Sequence, residues 1–166
     1  MNKNACFPEL EERLENDPKF RYAKECRSQA VSVLPLLSRI KNKVLNLANY
    51  ALTSGIAKSL GQSIKKNDQH FNKILMESNN MRDEDLAAVL EGLHRLQDIK
   101  SITYNKNEFG MKSAEALKII VGLRYIPYHL EELRLVNCKI SPQAMNVFLD
   151  VLEERNYIKR LALVNA

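Results

Sequence analysis

One apolar rhythm recurs five times along the chain, and neither a helix nor a strand alone produces it. In LEELRLVNCKI, residues 130–140, the positions Leu130, Leu133, Leu135, Cys138 and Ile140 advance by 3, 2, 3 and 2. A helix repeats near 3.6 and a strand at 2, so each fits only part of it. Residues 158–166 repeat the start with Ile158, Leu161 and Leu163. Earlier come Ile99, Ile102, Tyr104, Asn107 and Phe109, and before them Phe71, Ile74, Met76, Asn79 and Met81. The first occurrence has Leu45, Leu47, Tyr50 and Leu52, with Asn42 where an apolar residue should open it. The units start at 42, 71, 99, 130 and 158, spaced by 29, 28, 31 and 28 residues. Five phased matches outweigh the chance occurrence of any single one.

The rhythm has a mechanical reading. Its central L-x-L is a short strand with alternate side chains turned inward. The chain then bends, and an Asn or Cys at the ninth position can sit buried in the bend and bond backbone groups that no ladder satisfies. Tyr50, Asn79, Asn107, Cys138 and Ala166 hold that position. The eleventh position, Leu52, Met81, Phe109 and Ile140, returns to the core.

Helical segments lie between the strands. In RDEDLAAVLEGLHRLQ, Leu86, Val89, Leu90 and Leu93 share one face. Asp83 is the expected N-cap, with Glu84 and Asp85 in the first turn and His94 and Arg95 in the last, matching the helix dipole. SPQAMNVFLDVLEE opens on Ser141 as N-cap and Pro142 at the first helical position, with Met145, Phe148, Leu149 and Leu152 facing the core. TSGIAKSLGQSI and KSAEALKIIVGL read the same way. No single strand–turn–helix unit can bury its own apolar faces. Stacked units would give parallel strands on one side, helices on the other, and a curve with the strands inside, because helices are wider than the strand spacing of about 4.8 Å.

LEELRLVNCKI resembles the LxxLxLxxN/CxL signature of leucine-rich repeats, and the 28–29-residue unit with a full helix resembles the ribonuclease-inhibitor-like class. The resemblance covers residues 42–166. It implies an α/β leucine-rich repeat solenoid: a right-handed βα superhelix with a parallel concave sheet and outer helices. Members of this class are mainly protein-binding scaffolds, among them ribonuclease inhibitors, the Ran GTPase-activating protein, innate-immune sensors and axonemal proteins of cilia. The three extra residues of the third unit are placed in GLRYIPYHL, where Pro127 would end a helix. The fifth unit stops at Ala166, mid-motif, so the chain is expected to be a fragment of a longer solenoid or to be capped by something else. Residues 1–41 lack the repeat and read as an N-terminal helical cap, broken at Asp17–Pro18 and near Pro35. There Ala30, Val31, Val33, Leu34, Leu37 and Ile40 are available to cover the first unit.

Composition narrows the function. The 166 residues are 45% apolar and 27% charged, the balance of a folded domain. No apolar run approaches the roughly 20 residues that span a bilayer, and the N-terminus is too polar for a secretory signal. A cytoplasmic protein is expected, with a cytoskeletal, ciliary or nuclear location as alternatives. Cys6, Cys26 and Cys138 have no CxxC spacing and read as buried or half-buried thiols. The five glycines are scattered, so no phosphate loop forms. His70, His94 and His129 share no metal spacing and read as solvent-exposed. No enzyme activity, cofactor or metal is expected. A net charge of +5 without a dense basic run does not point to nucleic acid.

The strand side chains that do not turn inward should form the binding face. In unit order, the third column is Val44, Lys73, Ser101, Glu132 and Arg160. The fifth is Asn46, Leu75, Thr103, Arg134 and Ala162. The seventh is Ala48, Glu77, Asn105, Val136 and Val164. Flanking them are Lys43, Asn72, Lys100, Glu131 and Lys159 in the second column and Asn49, Ser78, Lys106, Asn137 and Asn165 in the eighth. Seven basic and three acidic residues give this face +4 of the chain's +5. Candidate contact residues are Lys73, Leu75, Glu77, Lys100, Thr103, Asn105, Glu132, Arg134, Val136, Lys159, Arg160 and Ala162, with Arg134 central. The expected function is a non-catalytic protein-interaction scaffold, a subunit or fragment of a larger assembly, binding a partly acidic protein surface. The alternatives are a structural part of a ciliary or cytoskeletal array, or a GTPase regulator by analogy with the Ran activator.

Overall fold

The computed structural model describes residues 14–65, 68, 70–96, 99–122, 130–154 and 158–165. Its main sheet has six strands in the order β1-β2-β3-β4-β6-β8. These are β1 (Ile40–Lys41), β2 (Val44–Asn46), β3 (Lys73–Glu77), β4 (Ser101–Asn105), β6 (Glu132–Val136) and β8 (Arg160–Val164). All neighbours pair in parallel except β1 with β2. A second, two-stranded parallel sheet joins β5 (Glu108–Phe109) to β7 (Lys139–Ile140) just past the bends. The helices are α1 (Pro18–Ser28), α2 (Ser54–Ser63), α3 (Asp83–Leu93), α4 (Met111–Gly122) and α5 (Pro142–Glu154). Each packs on its neighbour in sequence. The fold is α/β with a mostly parallel sheet, and the expected strand positions coincide with the observed ones.

Side-chain alternation explains the two layers. Leu45, Leu47, Ile74, Met76, Ile102, Tyr104, Leu133 and Leu135 are buried in the same core as Leu60, Leu86, Leu90, Leu117 and Phe148 of the helices. The pattern lapses at β8, where Leu161 is 44% and Leu163 36% exposed, and at Leu149 of α5, 43% exposed. These three were expected to face the core. No helix among the described residues follows β8 to cover them.

The ninth-position side chains act as expected. Asn79 donates through Nδ2 to the Leu47 and Tyr50 carbonyls, and Asn107 to those of Met76 and Asn105. Asn107 Oδ1 accepts from the Asn79 and Met81 amides, tying one bend to the previous one. The Cys138 thiol points to the Tyr104 and Val136 carbonyls at 3.4 and 3.3 Å, the same two positions that Asn107 serves, and burial raises its pKa. Tyr50 departs from the pattern. It is half-buried, and the Arg39 guanidinium lies 5.1 Å above its ring.

Each of these bends turns on a left-handed residue at the eighth position: Asn49, Ser78, Lys106, Asn137 and Asn165, with φ between 48° and 62°. Asn tolerates this region through local hydrogen bonds, whereas an ordinary side chain there costs about 1–2 kcal/mol. Asn42 and Lys43 also have positive φ, 53° and 60°, and form the two-residue loop joining β1 to β2. Two such residues in succession make the hairpin turn whose twist suits paired strands. Asn42 is therefore a turn residue, which is why the first position of this unit is not apolar, while Val44 and Leu45 stay in phase with Lys73 and Ile74 of the next unit.

Asp83 also needs correction. The N-cap of α3 is Arg82, whose backbone amide is accepted by Asp85 Oδ2 at 3.0 Å. Asp83 is the first helical residue, and its carboxylate accepts the amides of Gly110, Lys112 and Ser113 at the start of α4. It thus caps the next helix rather than its own. Ser141, by contrast, caps α5 as expected, its Oγ accepting from the Ala144 amide. His94 and Arg95 lie beyond the end of α3 at Leu93, and His94 is half-buried rather than exposed.

Two glycines set the helix spacing. A Cβ on Gly61 would meet the Ala88 carbonyl oxygen, and one on Gly92 the Gly61 carbonyl oxygen. Backbone therefore touches backbone between α2 and α3.

At the N-terminal edge, α1 begins at Pro18 behind Asp17, which caps it through the Lys19 amide. Tyr22 and Cys26 of α1 and Leu36 and Leu37 of the following 3-10 turn are buried. Val33 is 49% exposed, so it does not cover the first unit as expected. Arg21 fastens α1 to the end of α2. Its guanidinium donates to the Ser63, Glu15 and Asn16 carbonyls and pairs with both Asp68 oxygens. Cys6, His129, Pro127, Ala166 and residues 123–129 of the loop assigned to the extra residues lie outside the described residues.

Candidate protein-binding face

Parallel pairing brings the outward side chains into rows. Val44 pairs with Lys73, Lys73 with Ser101, Ser101 with Glu132 and Glu132 with Arg160. The next row runs Asn46, Leu75, Thr103, Arg134, Ala162, and the third joins Glu77, Asn105, Val136 and Val164. These are the columns expected from the sequence. At about 4.8 Å per strand the five parallel strands span roughly 20 Å.

Much of the charge on this face is satisfied within it. Glu132 accepts from Ser101 Oγ at 3.0 Å and pairs with Arg160 at 3.4 Å. Ser101 is buried beneath this contact. Glu131 pairs with Lys159 at 3.3 Å, and that bond holds its carboxyl below the usual glutamate value. The two acidic residues at the start of β6 thus meet the two basic residues at the start of β8. Glu77 Oε1 accepts from Asn105 Nδ2 at 3.0 Å. Along the strand ends Asn165 donates to Asn137 and Asn137 to Asn105, at 3.0 and 3.3 Å. These cross-strand bonds were not expected from the sequence. The only signal was Asn or Ser recurring at the seventh and eighth positions.

Two cations of the central rows keep no such bond. Lys73 and Arg134 are exposed and have no hydrogen-bond or ion-pair partner among the described residues. Leu75 and Thr103, both half-buried, lie between them in the rows, and half-buried Val136 follows Arg134 two residues on. Lys100 is engaged. Ala162 is half-buried, and Val164 is 45% exposed. The central rows offer two cations with Leu75 and Val136 beside them.

Among the described residues, no group of three or more His, Cys, Asp or Glu side chains could hold a metal ion. Cys26 and Cys138 are free and buried. Tyr104 is buried, its hydroxyl donates to the Glu108 carbonyl at 2.8 Å, and burial drives its pKa upward. No helix among the described residues is long and apolar enough to cross a membrane.

No family model matches the chain, and no curated protein matches it. Among solved structures it is similar to the tropomodulin C-terminal domain of Caenorhabditis elegans, with a TM-score of 0.57 and 13% identity. The match covers 86% of this chain and 81% of that one. At this identity the likeness is one of fold, and it places the chain among leucine-rich-repeat-like α/β structures.

Proposed function

We propose that the chain is a leucine-rich repeat solenoid of the ribonuclease-inhibitor-like class and serves as a non-catalytic protein-binding scaffold. The outward strand face is its concave contact surface, and a partly acidic protein segment is the partner. The observation that carries this reading is the pair Lys73 and Arg134, exposed and unpartnered on a face whose carboxylates are already bonded. Leu75 and Val136 supply the apolar contact that steadies a charged anchor. Glu131, Glu132, Lys159 and Arg160 hold one another across β6 and β8 and shape the surface.

The test is affinity for the protein that co-purifies with the chain, measured at rising salt. Arg134→Glu is expected to weaken binding at least about tenfold, or 1.4 kcal/mol, and Lys73→Glu somewhat less. Affinity unchanged by salt and by both substitutions would move the contact to a helix flank.

A second reading, a component of a cytoskeletal or ciliary array, draws on the fold likeness to the tropomodulin domain. Co-sedimentation with cytoskeletal filaments, abolished by the same two substitutions, would favour it.

A further inference from the structure

Where the strands end and the helices begin, a cavity of about 480 Å³ opens at the rim of the molecule. Arg82, Lys106 and Lys139 line it, from three successive units, together with Asn80, Asn137 and Glu108. All three cationic side chains are exposed and have no partner among the described residues. Glu108 is the one carboxylate of the lining. The neighbouring acids are committed elsewhere: Asp83 to the amides of α4, Glu84 to Lys112 and Asp85 to the Arg82 amide. Three like charges brought to one recess repel each other, so they do not serve the fold.

Lys106 adds an independent sign. It stands at φ 55° in a position that four other units give to Asn49, Ser78, Asn137 and Asn165. Lysine gains nothing from the left-handed region that asparagine would not gain better. What it brings is a positive charge at the mouth of the cavity.

We propose that this recess is an anion seat in which Arg82, Lys106 and Lys139 together receive side-chain carboxylates of an Asp- and Glu-rich segment of a partner protein. The fork of Arg82 supplies paired donors, and the two lysines supply point charges on either side. The seat extends the strand-face reading, resting on its acidic partner, but uses different residues, so the two fail separately.

The test titrates the isotope-labelled chain with a Glu-rich peptide, its Gln-rich counterpart and inorganic phosphate, read by amide chemical shifts. The Glu-rich peptide should give saturable shifts around residues 80–82, 106 and 137–139, and the Gln-rich peptide none. The triple variant Arg82→Gln, Lys106→Asn, Lys139→Gln should bind it at least tenfold more weakly. Lys106→Asn installs the residue that other units carry, so the variant folds, and its unshifted remaining spectrum checks this. Arg134→Gln with Lys73→Gln should leave the rim shifts in place. The seat is refuted by absence of saturable binding, by equal binding of the triple variant, by phosphate binding alone, or by shifts confined to the strand face. In the last case the strand-face reading survives without it.

Discussion

Asp83 ties two helices together through one side chain. Burial pushes its carboxyl upward, but hydrogen bonds from Ser113, Lys112 and Gly110 outweigh this and hold the pKa below the ordinary aspartate value. A carboxyl lowered in the folded state adds stability that is full above its unfolded pKa, about 4, and is lost as pH falls through the folded value. Asp83→Ala is therefore expected to cost about 1–2 kcal/mol at neutral pH. In urea melts at several pH values, the gap to the parent should close as pH drops below about 4. If the gap stayed constant with pH, the cap would not depend on the charge. Arg21 is the other decisive residue. It is 7% exposed and bonded to Asp68 and three carbonyls. Arg21→Met strands a largely buried carboxylate, and chemical denaturation should show a loss of about 3–5 kcal/mol. Adding Asp68→Asn should recover part of it, because the unpaired charge is then gone.

At the scale of elements, the close approach of neighbouring helices sets how the core packs. Glycine in a helix interior costs about 1 kcal/mol relative to alanine, so Gly61→Ala and Gly92→Ala would stabilise an isolated helix. Here the added methyl would meet the backbone carbonyls of Ala88 and Gly61, which cannot rotate away. Overpacking of this kind costs about 1–3 kcal/mol or more, and it should outweigh the gain in propensity. Both variants are expected to melt below the parent in calorimetry, and a rise in melting temperature would show that the helices can separate freely. The bends have the opposite bias. Lys106→Asn relieves a left-handed lysine and should raise stability by up to about 1 kcal/mol.

For the molecule as a whole, β8 is the feature with consequences. Among the described residues it pairs with β6 alone, while Leu161, Leu163 and Val164 are 44%, 36% and 45% exposed. An open strand edge with apolar side chains on both faces is a template for association. The 166-residue chain is expected to self-associate with rising concentration in sedimentation runs. Leu163→Lys should suppress this without lowering the melting temperature by more than a few degrees, since Leu163 is only partly buried.

Strand positions, the inward residues of the first four units and the bend bonds of Asn79 and Asn107 were legible in the sequence, because each depends on the parity of a short strand or on an amide that fits a tight bend. The alternation at Leu133 and Leu135 permits one orientation, and Asn107 one kind of bend. The strand-face columns followed from the same parity. What the sequence could not show depends on groups from different units meeting in space. Asp83 reads as an N-cap in the sequence, but it is the first helical residue, and the approach of α4 gives its carboxylate the amides of the next helix. The pairing of Glu131 and Glu132 with Lys159 and Arg160 needs β6 beside β8. The gathering of Arg82, Lys106 and Lys139 needs three bends stacked in line. The sequence by itself determined the repeat and the two faces of its strands, since these are local periodicities. The tertiary structure decided which charges are spent on neighbours and which stay free, since electrostatic partners are chosen by distance in space and not along the chain.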